Sequence, residues 1–299
     1  SCTIAGIPTG ATPVLILGGH VYSNTNGHIL FDNVNIALSG TGVQLRAKAW
    51  LDGPYDQALG LMRDALRAAG LIPATEPYTA LFGDGGGGEA VAPSVLAMSG
   101  ANAIVDWIRL ELHLGPYPDG TTTPIARRNA LLQCDGDIVD VDGSSPVTFA
   151  TGPGNYLVVV RHRNHLPVMN TYAIPLNSTP YPIDFRAAAL DCYARPAPNA
   201  DLPRKTIGTA RALWAGNTEP GAIFTRGLYY VGQMNDRDPI LAAIGGSTPT
   251  ATISGYHLTD VNMDGVVKYV GAGNDRDPIL LNIGGGTPTN VRKSQVYPY

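Results

Sequence analysis

Asp260, Asn262 and Asp264 place side-chain oxygens at alternate positions just ahead of Gly265. A hard cation needs several oxygens converging on one point, and positions one, three and five of a calcium loop supply them. Glycine stands sixth, where such a loop turns sharply, and the backbone carbonyl of Val266 follows at the seventh position. The twelfth position, where a bidentate Glu usually closes the loop, is Gly271, and carboxylates return only at Asp275 and Asp277. These residues predict an expanded Ca2+ loop closed by one of those two aspartates. The competing expectation is an Asx-rich turn that holds itself together without an ion.

The loop lies in the second of two copies of one unit. Residues 235–241 (NDRDPIL) recur as residues 274–280, an offset of 39 from 235 to 274. Ile244-Gly245-Gly246 recurs as Ile283-Gly284-Gly285, and Thr248-Pro249-Thr250 as Thr287-Pro288-Thr289. Residues 210–292 are therefore a tandem repeat. In each copy Asp-Pro predicts an N-cap followed by Pro at the first helical position, and Gly-Gly ends a short helix. Ile240, Leu241 and Ile244, with Ile279, Leu280 and Ile283, are the expected shared core. Residues 217–226 of the first copy are longer and poor in ligands, so one good ion site is expected rather than two.

This tail resembles the dockerin-type, EF-hand-like calcium modules that close many secreted bacterial surface proteins. The phrases DVNMDGVVKY, LDGPYDQALGLMRDALRAAGLIP, ALLQCDGDIVDVDGSSPVTF and VVVRHRNHLPVM are similar to an uncharacterised family. Its members are C-terminal regions of large exported proteins of Bacteroidetes-type bacteria. The likeness spans residues 44–292 and implies an extracellular or cell-surface location, and it carries no reaction with it. Family members usually keep Asp-x-Asn-x-Asp-Gly in the first loop as well, and this chain does not.

The elements that must carry the tail are short strands. With 36 Gly and 24 Pro among 299 residues, long helices are disfavoured and tight turns between strands are expected. Residues 104–112 alternate, with Ile108, Leu110 and Leu112 on one face and Trp107, Arg109 and Glu111 on the other. Residues 43–51, 129–133, 138–141, 146–149, 155–162, 171–175 and 182–185 complete the predicted strands. Gly154-Asn155-Tyr156-Leu157-Val158-Val159-Val160 resembles a strand of transthyretin-like or collagen-adhesin B-type sandwiches. Its second face, Leu157 and Val159, is also apolar and calls for a cover, either another domain or another copy. Asp56, Leu59, Met62 and Leu66 predict one helix ending at Gly70. The predicted fold is mainly β: residues 1–43 an N-terminal β arm, 44–200 a β-sandwich (Ig/transthyretin-like) with one inserted helix, and 201–299 the two-repeat EF-hand-like module. Residues 12–17 of the arm read either as an edge strand or as a donor strand for the next subunit.

Other chemistry is sparse. No P-loop lysine, Gly-x-Ser-x-Gly, His-Glu-x-x-His or dinucleotide fingerprint occurs, so no enzymatic reaction is expected. A net charge of −4 without a basic stripe argues against nucleic acid, and no apolar run is long enough for a transmembrane segment. Arg161-His162-Arg163-Asn164-His165 reads as a solvated strand end, or as a grip for an acidic glycan. Asp135, Asp137, Asp140 and Asp142 read as outward carboxylates on a hairpin, or as a second calcium site. Among Cys2, Cys134 and Cys192, one disulfide with Cys2 left over and three inert thiols are both open. Asn177-Ser178-Thr179 is a lone glycosylation triplet. The functional expectation is a structural subunit of an extracellular filament or appendage that self-associates into a homopolymer, with a secreted adhesin or carbohydrate-binding module as the alternative.

Overall fold

A computed structural model describes residues 42–83, 87–115, 124–198, 200–218 and 227–296. The expected N-terminal arm and its donor strand lie outside the described residues. Gly40–Tyr299 is one compact unit.

The fold is mainly β. Its first strand, β1 (Val43–Lys48), alternates buried and partly exposed positions. A small hairpin follows, β2 (Tyr55–Asp56) and β3 (Leu61–Met62), then the short helices α1 (Ala65–Ala68), α2 (Tyr78–Phe82) and α3 (Pro93–Leu96). The body of the sheet comes from β4 (Ile104–His113), β5 (Ala126–Gln133), β6 (Asp137–Val139), β7 (Val147–Phe149), β8 (Gly154–His162), β9 (His165–Met169), β10 (Ile174–Leu176) and β11 (Tyr181–Asp184). Among the described residues these make one nine-stranded sheet in the order β10-β8-β4-β5-β6-β1-β11, with β9 also on β8 and β7 also on β1. All its pairings are antiparallel except β1 with β11.

The sheet has to curl. Its two outermost strands, β10 and β11, are joined by residues 177–180 alone. Five residue steps reach at most roughly 18 Å, whereas six strand spacings across a flat sheet need roughly 29 Å. The amide of Gln44 in β1 donates to the Asn177 carbonyl at 2.9 Å, on the strap that leaves β10. All of β4 and most of β8 are enclosed on both faces.

The expected helix across residues 56–70 is not formed. The β2–β3 hairpin and Gly60 at φ 65° break it, and only the turn Ala65–Ala68 is helical. Asp56 accepts from the Ala58 and Leu59 amides as a turn residue. Leu59 is exposed while Met62 and Leu66 are buried, so the apolar spacing never formed a single helical face. The cover expected over Leu157 and Val159 comes from this chain: both pack with Met169 and with Val296 near the C-terminus.

The tail adds the hairpin β12 (Lys205–Ile207) and β13 (Ala210–Ala212), then β14 (Gly227–Tyr229), α4 (Asp238–Ala243), β15 (Thr252–Ser254), β16 (Val266–Lys268), α5 (Arg276–Asn282) and β17 (Val291–Lys293). Ile240, Ile244, Val261, Val267, Ile279 and Ile283 share one apolar cluster, as the repeat predicts. Leu166 of the sheet belongs to that cluster, and Met263 of the tail belongs to the sheet's core. The two regions are interlocked.

Candidate metal loop and the polar junction beneath it

Each repeat builds the same local device. Asn235 accepts from the Asp238 amide at 2.9 Å, and its own amide group donates to the Gly232 carbonyl and the Asp238 carboxylate. Asn274 does the same with Asp277 and Gly271. The helices start after Arg237 and Asp275, neither of which caps through its side chain, so the expected Asp caps at Asp238 and Asp277 lie inside the first turn, where Asn235 and Asn274 bond to their amides. Arg237 lies over the Tyr230 ring and Arg276 over the Tyr269 ring. Asp236 accepts from the Thr218 and Tyr229 amides. Its counterpart Asp275 accepts from Val261, Asn262 and Lys268.

These bonds sort the candidate ligands. Asp260 accepts from the Asp264 and Gly265 amides, Asn262 from Asp264, and Asp264 from Val266, so the loop is wound by its own side-chain oxygens. Asp260, Asn262, Asp264 and Val266 are brought into one turn, with the Asp275 carboxylate against its backbone at Val261 and Asn262. Asp277 is directed elsewhere, to Asn274 and Arg276. Burial raises the Asp260 carboxyl above its usual range, against the opposing pull of Arg163. Burial likewise pushes Asp275 up to about 7, opposed by the Lys268 amide and reinforced by the charge of Asp260. Two enclosed carboxylates, with the charge of Asp260 raising Asp275 and that of Asp264 raising Asp260, are a fit for a hard cation. Among the described residues no three or more His, Cys, Asp or Glu side chains converge as a metal group. A cation here would therefore draw on the Asn262 amide oxygen and the Val266 carbonyl as well.

The Arg161–His165 stretch is neither a solvated strand end nor a glycan grip. It turns from β8 into β9, and His162, Arg163, Asn164 and His165 are all buried beneath the tail loop. The β-bulge between Ile104 and Asp106 marks where Asp106 becomes the hub of this junction. Its Oδ2 accepts from Arg163 Nε at 2.8 Å and lies 3.1 Å from His162 Nε2, and its Oδ1 accepts from the Tyr256 hydroxyl at 2.7 Å. Burial would raise this carboxyl, but Arg163 and His162 outweigh it and hold it at about 2. Arg163 also donates to the His257 carbonyl and lies over the Tyr256 ring. Asn164 donates to the carbonyls of Leu258 and Asp260, at 3.2 and 2.7 Å.

Hydrogen-bond logic fixes the histidine protons. His162 donates through Nε2 to Asp106, which leaves Nδ1 to accept from His165 Nδ1 at 3.0 Å. His165 Nδ1 also faces the Asn164 side-chain oxygen at 2.8 Å, and its Nε2 accepts from the Gly53 amide at 3.3 Å. Both rings are neutral in this arrangement. Burial lowers the affinity of each for a further proton, in His165 with help from the neighbouring His162.

A second buried polar group lies on the other face of β4. Glu111 pairs with Arg161 at 3.2 Å and meets His113 at 3.3 Å, while Arg109 donates to Asn129 at 2.9 Å and lies against Tyr78 and Phe82. Burial raises Glu111, but Arg161 and His113 bring it down to about 2. His113 is therefore a partner in a buried network. The Asp135–Asp142 group does not assemble into a second ion site. Asp137 pairs with Lys48, Asp140 with Arg128, and Asp142 accepts from Ser144 and Ser145. Cys134 and Cys192 are free thiols, so no disulfide joins them. Cys2 lies outside the described residues. No family model, curated protein or solved structure matches the chain.

The alternation of residues 104–112 predicts a strand with one face in the core, whereas every residue of β4 is buried, and the roles of Asp106, Arg163 and Tyr256 were not legible. The available signal was Asp106 itself, a charge in line with the core-facing Ile108, Leu110 and Leu112. A buried carboxylate demands a cation from elsewhere in the chain.

Proposed function

We propose that the chain is a secreted structural module, stapled by calcium at its tail, whose copies associate into an extracellular filament or surface appendage. One observation carries this reading: the wound loop at Asp260–Asn262–Asp264, with its enclosed carboxylates, is locked onto the sheet. Asp260, Asn262, Asp264 and the Val266 carbonyl would hold the ion, with Asp275 closing the site. The ion would supply only positive charge and rigidity. The tandem units are read as an EF-hand-like pair in which the first copy has lost its ligands, and the curled sheet as the sandwich body. Support also comes from the use made of the buried ionic groups, since Asp106, Arg163, Glu111 and Arg161 are all engaged in tying elements together. The surface location rests on the family resemblance of residues 44–292.

Two measurements test it. Calorimetric titration with calcium, with magnesium as comparison, is expected to give saturable binding that Asp264→Ala removes. Negative-stain images with calcium are expected to show polymers. Monodisperse particles with calcium and with chelator would eliminate the assembly claim, and a flat titration would eliminate the calcium claim.

A further inference from the structure

We infer that Arg163 and Asn164 are positioning residues for the tail loop, so that cation binding and folding of the sheet are a single equilibrium. This rests on the calcium reading above and extends it from a local staple to a clasp for the whole Gly40–Tyr299 unit.

The loop is gripped from the sheet side along its backbone. Arg163 and Asn164, at the turn between β8 and β9, take the carbonyls of His257, Leu258 and Asp260. Tyr256, at the loop's entry, donates to Asp106 of β4. Gly53 passes so close beneath the loop that a Cβ there would lie 2.3 Å from the Val261 carbonyl. A Cβ on Gly265 would meet Leu71 at 2.9 Å, and Met263 is 2% exposed within the sheet's own core. The path of residues 256–265 is thus set by residues of the sheet and its covering segments, on both sides of the oxygen donors. Asp260 is held twice over: its carbonyl goes to Asn164 while its carboxylate winds the loop. Without the sheet those donors have no fixed path. Conversely, a loop that comes away uncovers Asp106 and Arg163, a buried ion pair whose partners are shared across the junction. Partners that orient ligands from outside the coordination shell typically carry 10–100-fold in metal affinity, which here falls to Asn164.

Hydrogen-exchange mass spectrometry on the full chain, with calcium alone as ligand and chelator as reference, tests the coupling. Calcium is expected to slow exchange in β4, β8 and β9 together with the tail. Asn164→Ala is expected to weaken calcium binding by roughly 10–100-fold, and Tyr256→Phe by a smaller factor. Protection confined to residues 256–283, or unchanged calcium affinity in both variants, would overturn the inference while leaving the calcium reading intact. If the wild-type chain takes up no calcium, both fall. Should Asn164→Ala fail to fold, the exchange pattern of the wild type still decides.

Discussion

At the residue scale, Asp106 matters most, because a fully buried carboxylate is matched there to a fully buried guanidinium. Removing one partner leaves the other charge enclosed and unpaired, which typically costs about 3–5 kcal/mol. Asp106→Asn is therefore expected to lower the unfolding free energy measured in urea by that amount, and a loss under about 1 kcal/mol would show that Arg163 finds another partner. The same groups set the response to acid. His162 and His165 have depressed affinity for protons, so the unfolded chain takes them up first and stability begins to fall below about pH 6.5. Asp106 and Glu111 are held at about 2 in the fold. Their contribution is complete above the unfolded values near about 4 and is lost as pH falls from about 4 to about 2. Stability measured from pH 8 to pH 2 is expected to decline in those two stages. Of these residues only Arg161–His165 stood out in the sequence, and their polarity pointed toward solvent. Polarity marks what a side chain requires, and here tail carbonyls far along the chain satisfy it.

Among the elements, the tandem units were the most legible part, since a 39-residue offset is visible in the letters themselves. The expected Asp caps were displaced because Asp238 and Asp277 are already inside the first turn, each held by the Asn three residues earlier. The copies also expose a cost. Met234 has φ 57° where its counterpart Gly273 has φ 68°. A non-glycine residue in that region costs roughly 1–2 kcal/mol, of which glycine's chain entropy returns part. Met234→Gly is expected to stabilise the protein by up to about 1 kcal/mol in thermal unfolding. Gly53 gives the opposite case. Gly53→Ala would drive a methyl group into the Val261 carbonyl, an overpacking expected to cost about 1–3 kcal/mol or more. Gly60→Ala, with open space around it, is expected to cost only about 1 kcal/mol for its left-handed backbone. Equal losses at the two glycines would contradict the tight approach of loop and hairpin. The helix expected at 56–70 fails for a related cause: Leu59, Met62 and Leu66 match a helical period, but Gly60 with its left-handed backbone and the β2–β3 hairpin outweigh it.

For the molecule as a whole, the mainly β character followed from alternation and from turn residues. The curl did not, since it depends on which strands become neighbours. Nor did the embrace of the tail by the sheet, which joins residues 163 and 164 to residues 257–260. Enclosure also governs the thiols. Burial pushes Cys134 up to about 11, and the residue is covered by the sheet's core. Maleimide labelling of Cys134 is accordingly expected only after denaturation, and prompt labelling of the native protein would show that this region opens.

The parallel pairing of β1 with β11 carries a consequence for synthesis. Ala47 is opposite Ile183, and nearly the whole sheet is encoded between them. A chain emerging from its N-terminal side presents β1 long before its outer neighbour exists, and contacts that distant in sequence form slowly. Until the ribosome has released β11, the first strand has one unoccupied hydrogen-bonding rim, which invites mispairing with other nascent copies. Slow emergence or a holding chaperone would protect that interval.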